Sequence, residues 1–123
     1  MATRSLVGYE KSDGTIIVSY CHFDGYLTGV GADLLALKPS AVKKIVDAGD
    51  MSTLKSGPYT PVVKPKVFTS RDAAVDHFEN SWCEYFYLLS ATRTWFYSEH
   101  GHSKGIFHPL RAAVKQAIEN ESM

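Results

Sequence analysis

Two stretches of this chain pair naturally as β-hairpins. Glu84 to Leu89 and Thr94 to Ser98 are aromatic and aliphatic runs around Ser90-Ala91-Thr92-Arg93. Arg4 to Tyr9 and Thr15 to Cys21 flank Lys11-Ser12-Asp13-Gly14, where Asp13-Gly14 supplies the positive φ that a tight turn needs. Ile16, Ile17, Val18 and Tyr20 give the second of these strands its β-branched and aromatic character. Between the hairpins, Val30 to Leu37 reads as a short helix ended by Pro39. Ser40 can cap a second helix, Ala41 to Ala48, which Gly49 stops. Val62 to Phe68 reads as extended, with Pro65 marking an edge strand. Ser70 caps a helix from Arg71 to about Asn80, in which Val75, Phe78 and Trp82 share a side. After a loop from His100 to His108, Pro109 opens a last helix with Leu110, Val114, Ala117 and Ile118 as its apolar stripe. The order β-β-α-α-β-α-β-β-α predicts an α+β fold with a mainly antiparallel sheet. Residues 1–123 form one domain, long enough for a core without staples.

Charge narrows the function. Thirteen basic and thirteen acidic residues cancel, and no basic run occurs. That argues against extended nucleic acid as a partner. It equally argues against a mimic of DNA, which would be strongly acidic. A zero balance gives little colloidal repulsion and favours a homo-oligomer. Cys21 and Cys83 sit in apolar segments, where a thiol acts as a small hydrophobe, so no disulfide framework is expected. No signal-peptide pattern precedes the first strand, and no apolar run approaches the ~20 residues needed to cross a bilayer. The expectation is a cytoplasmic protein that does not use the membrane.

The densest chemistry lies at Tyr20 to Leu35, where a strand pattern gives way to a helix pattern. His22 and Asp24 alternate with Cys21 and Phe23 and project to one side if the strand continues. Such a pair can hydrogen-bond a ligand, share a proton or bind a metal. A catalytic zinc normally takes three protein ligands, so metal binding is incomplete here. Structural bonding within the turn is the simpler reading. Gly29-Val30-Gly31 precedes a helix, and free amides at a helix start can hold a phosphate. The dinucleotide fingerprint fails because position 34 is Leu and the topology is antiparallel. His100, His102 and His108 form a second histidine group in a loop.

Arginine suits two-pronged phosphate recognition and stacking on bases. Arg71 and Arg111 fall in first helical turns, where a positive charge opposes the helix dipole, so another use for them is expected. Arg93 sits in a hairpin turn beside Trp95. Tyr85, Phe86, Tyr87, Trp95, Phe96 and Tyr97 alternate along two strands, so one aromatic face should be left for a subunit interface or a stacking platform. No activated nucleophile or carboxylate pair is visible, and no enzymatic activity or cofactor is expected.

Thr3-Arg4-Ser5-Leu6-Val7-Gly8-Tyr9, Asp13-Gly14, Tyr20-Cys21-His22-Phe23-Asp24-Gly25-Tyr26 and Gly29-Val30-Gly31 together resemble a family of small bacteriophage and prophage proteins. That family has a Thr-Arg-Ser start and a Tyr-Cys-His-Trp-Asp-Gly-Tyr-Pro core. Here Phe23 stands for the Trp and Leu27 for the Pro. Gly49-Asp50-Met51-Ser52 and the aromatic hairpin extend the likeness. The resemblance implies a phage setting, in which small early proteins disarm host defence. One class, the sponges, sequesters cyclic nucleotide or cyclic ADP-ribose signals. By analogy, the expected function is sequestration of a nucleotide-derived immune signal without catalysis. Arg71, Arg93 and Arg111 would hold phosphates, and Trp95 or Tyr26 would stack on a base. His22 and Asp24 would orient the loop or contact ribose. The alternative is a protein–protein inhibitor of a host enzyme or defence complex. A third reading is a metal-dependent hydrolase using His22, Asp24 and one of His100, His102 or His108.

Overall fold

The computed structural model describes residues 2–101 and 105–121. Strands β1 (Ser5–Glu10) and β2 (Ile16–Cys21) form the first hairpin, with Leu6 opposite Tyr20 and Tyr9 opposite Ile17. A π-helical turn (Leu27–Gly31) runs into the short helix α1 (Ala32–Leu35). Helix α2 (Pro39–Ala48) follows, then β3 (Lys66–Phe68), α3 (Arg71–Glu79), β4 (Tyr85–Leu89), β5 (Trp95–Glu99), β6 (His108–Pro109) and α4 (Leu110–Glu121). The sheet order is β3-β2-β1-β4-β5-β6. Every neighbouring pair is antiparallel except the central one, where β1 and β4 run parallel. This is an α+β fold, mainly antiparallel as expected, with a parallel seam that α3 makes possible by returning the chain across one face.

The sheet separates two cores. Val7, Tyr9, Ile17, Tyr87 and Leu89 face α1, α2 and α4, meeting Leu34, Val42, Val46, Leu110 and Val114. Leu6, Ile16, Val18, Phe86 and Leu88 face the other way, onto Ala74 and Phe78 of α3. The strict period of two along each strand is what sorts these residues. Both faces of the aromatic hairpin are therefore covered within the chain. Trp95 and Tyr97 pack on the first core, while Phe86 meets Phe78 and Phe107 at 5.7 Å between ring centroids. The expected spare aromatic face is not left over, because a sheet with helices on both sides hides both sets of side chains.

Local signals were largely obeyed. Ser70 Oγ accepts a hydrogen bond from the Ala73 amide, as an N-cap should. Pro39 does not end a helix but starts α2 at its first position, where the ring presets φ and the missing amide is not needed. Gly49 ends α2 at a φ of +112°, and a Cβ there would strike the Val63 carbonyl. Trp82 does not share the buried side of Val75 and Phe78. The helix stops at Glu79, so helical spacing no longer governs Trp82, which is 87% exposed.

Candidate functional site

The Tyr20–Leu35 stretch is a structural junction. Tyr87 Oη donates a 2.6 Å hydrogen bond to the Gly25 carbonyl, and burial pushes this phenol's pKa far up, so it stays a donor. The Gly25 amide donates to Thr3 O, and a Cβ on Gly25 would lie 2.6 Å from that oxygen. The amides of Gly29 and Gly31 both donate to Tyr26 O, and Val30 N donates to Asp24 O at 2.7 Å. The glycine-rich helix start thus uses its own amides and offers none of these three to an anion.

His22 and Asp24 do not face one way. Asp24 has a φ of +62°, which ends the strand alternation. Asp24 lines a small cavity together with Asp33, Thr53 and Lys55, whereas His22 lines a different one. His22 is pinned there by a 2.6 Å hydrogen bond between Nδ1 and Tyr20 Oη, and by its amide donating to Met51 O.

That cavity is a cleft of about 720 Å³ on the α3 side of the sheet. Arg4 enters from just before β1, Tyr20 and His22 from the end of β2, and Lys66 from edge strand β3. His77 comes from α3, and Ser81, Trp82 and Cys83 come from the turn that follows it. Among the described residues, Asp50 is the one carboxylate on its wall, and Asp50 Oδ1 accepts the Tyr20 amide at 2.9 Å. Burial, then the charge of Lys66, holds the His77 imidazole below its usual pKa, with Asp50 opposing. Burial raises both thiols, Cys83 in the cleft wall and Cys21 to about 11, so neither is a thiolate at neutral pH. The cleft carries more cations than carboxylates, is open to solvent, and has the exposed Trp82 indole on its wall.

The remaining expected residues lie elsewhere. Arg71 reaches the other end of β1, where Nε and Nη2 bond Glu10 Oε2 and Oε1 at 2.8 and 2.9 Å. Its guanidinium also lies 5.6 Å from the Phe107 ring centroid. The charge that misfits a helix N-terminus is used by an ion pair within the chain. Arg93 belongs to a separate cavity at that same end. Trp95 and the exposed Arg111 lie on the side of the sheet that carries α4, and Tyr26 is 44% exposed outside the cleft. Of the expected set, the cleft holds His22 alone. Arg4, Lys66, His77 and Trp82 were missed as site residues. A cation at a strand start, a lysine in phase with Phe68 on an edge strand and a tryptophan just past a helix end were the only local signals.

Among the described residues, no group of three or more His, Cys, Asp and Glu side chains could hold a metal ion. His102 lies outside the described residues. No described helix is long and apolar enough to cross a membrane. Compared with known proteins, the chain matches no family model, no curated protein and no solved structure.

Proposed function

We propose that this protein binds and sequesters a small nucleotide-derived signal, without catalysis, in the cleft between β2, β3 and α3. One observation carries the reading. Arg4, Lys66, His22 and His77 line a cleft in which, among the described residues, Asp50 is the one carboxylate against two cations, next to an indole that is 87% exposed. Cations and imidazole N–H groups suit phosphate oxygens, and an exposed indole suits stacking on a base. The volume, about 720 Å³, falls within the range of about 300–1,000 Å³ common for small-ligand sites. The sequence resemblance to small phage proteins supports a counter-defence setting. Relative to the sequence expectation, the ligand class is kept and the phosphate-binding residues change to Arg4 and Lys66.

The test is a thermal-shift panel of cyclic dinucleotides and cyclic ADP-ribose isomers, with depletion of free ligand measured in parallel. A ligand that binds only the folded state at 100 times its Kd adds about 2.7 kcal/mol of stability. W82A and R4A should remove the shift, and heating should release the ligand chemically intact. No shift and no depletion across the panel would refute binding. Recovery of a converted product would refute sequestration without catalysis.

A further inference from the structure

A second cavity, of about 400 Å³, opens at the opposite end of the sheet from the cleft. It lies between the two hairpin turns and the start of α2, at the carboxyl ends of the parallel strands β1 and β4. Lys11, Lys43 and Arg93 line it, one from each surrounding element. Among the described residues, none of these three makes an ion pair or a side-chain hydrogen bond. Lys43 is held 5.7 Å over the Tyr9 ring centroid.

The carboxylates nearby are engaged. Glu10 is held by Arg71 and by the Ala91 amide, Asp13 accepts from the Thr15 amide, and Asp47 accepts from Tyr9 Oη. Arg93 also occupies a backbone position with a φ of +66°, which a glycine adopts freely and an arginine does not. Strained positions of this kind cluster at ligand sites. Glu10 and Asp13 also line the cavity, but Arg71 neutralises Glu10, so three cations face the one remaining charge of Asp13 and a bound anion balances the excess.

We infer that this cavity is a second anion site, taking the phosphate or pyrophosphate group of a small molecule. The guanidinium of Arg93 offers a planar fork to two phosphate oxygens, and the two ammonium groups supply the remaining charge. The inference stands apart from the proposed function, because the two cavities share no residue.

Inorganic pyrophosphate titrated at constant ionic strength, followed by amide resonances, tests it. The expected result is a saturable shift at residues 11–13, 43 and 90–93, with Arg4, His22 and Lys66 unmoved. R93G should weaken binding about tenfold or more while the turn stays folded, because glycine adopts its φ freely, and a Tm close to the parent's shows that lost binding is not lost folding. R4A should leave pyrophosphate binding unchanged. Shifts that do not saturate, an R93G variant that binds as tightly as the parent, or an equal response to succinate would each overturn the assignment.

Discussion

Replacing Tyr87 with phenylalanine removes one oxygen atom from the middle of the molecule. Tyr87 is fully buried in β4, its ring stacked on Tyr85 at 5.8 Å. Its hydroxyl is the hydrogen-bond donor to the buried Gly25 carbonyl, at 2.6 Å. Y87F keeps the ring and leaves that carbonyl without a partner. An unsatisfied buried acceptor costs about 1–3 kcal/mol. We expect about 2 kcal/mol, since losing the hydroxyl also removes its own desolvation penalty. At about 2.1 cal/mol/K per residue, the 123-residue chain unfolds with an entropy of about 0.26 kcal/mol/K. The Tm should therefore fall by about 8 °C. Urea denaturation read by fluorescence should move its midpoint at constant m. Hydrogen exchange at the Val30 amide should quicken, because Val30 bonds Asp24 O in the same turn. Y97F is the control: among the described residues that phenol makes no side-chain hydrogen bond, so its loss should change stability by less than about 0.5 kcal/mol. A Y87F variant within about 0.5 kcal/mol of the parent would refute the view that this bond anchors the junction.

Two other predictions concern charge. R71A removes a two-pronged but partly exposed ion pair and should destabilise the fold by about 1 kcal/mol, less at high salt, as measured by urea denaturation. The second is a pH dependence. His77 has a folded-state pKa below its ordinary value of 6.5, so the unfolded chain takes up the proton first. The stability due to neutral His77 is complete above pH 6.5 and is lost as pH falls through the lower folded value. H77Q should flatten the stability profile in that window, and an unchanged slope would refute the assignment.

How far the chain could be read in advance differs by element. The hairpins, the Ser70 cap and the Gly49 stop were legible because each depends on residues within about four positions of one another. β6 was not, since a two-residue strand exists only by pairing Phe96 with Pro109 and Tyr97 with His108. Arg71 looked free because its partner, Glu10, is 61 residues away in sequence. Trp82 looked buried because the helical period was carried past the point where the helix ends. Asp24 looked aligned with His22 because nothing local announced its left-handed backbone, which aspartate tolerates better than most side chains.

The sequence by itself determined the two hairpins, the course of the longer helices with the apolar stripe each buries, and that the charges balance. These follow from side-chain period, turn chemistry and counting. The tertiary structure alone decided that β1 lies parallel to β4, and with that which side chains share a cavity. Arg4 stands beside Cys83 and Ser81 because the Glu84 amide donates to the Arg4 carbonyl at 2.9 Å where these two strands begin. The same pairing draws Arg93 towards Lys11 and Lys43 where the strands end. Neighbourhood across 80 residues is set by how whole faces pack, and no local pattern encodes it.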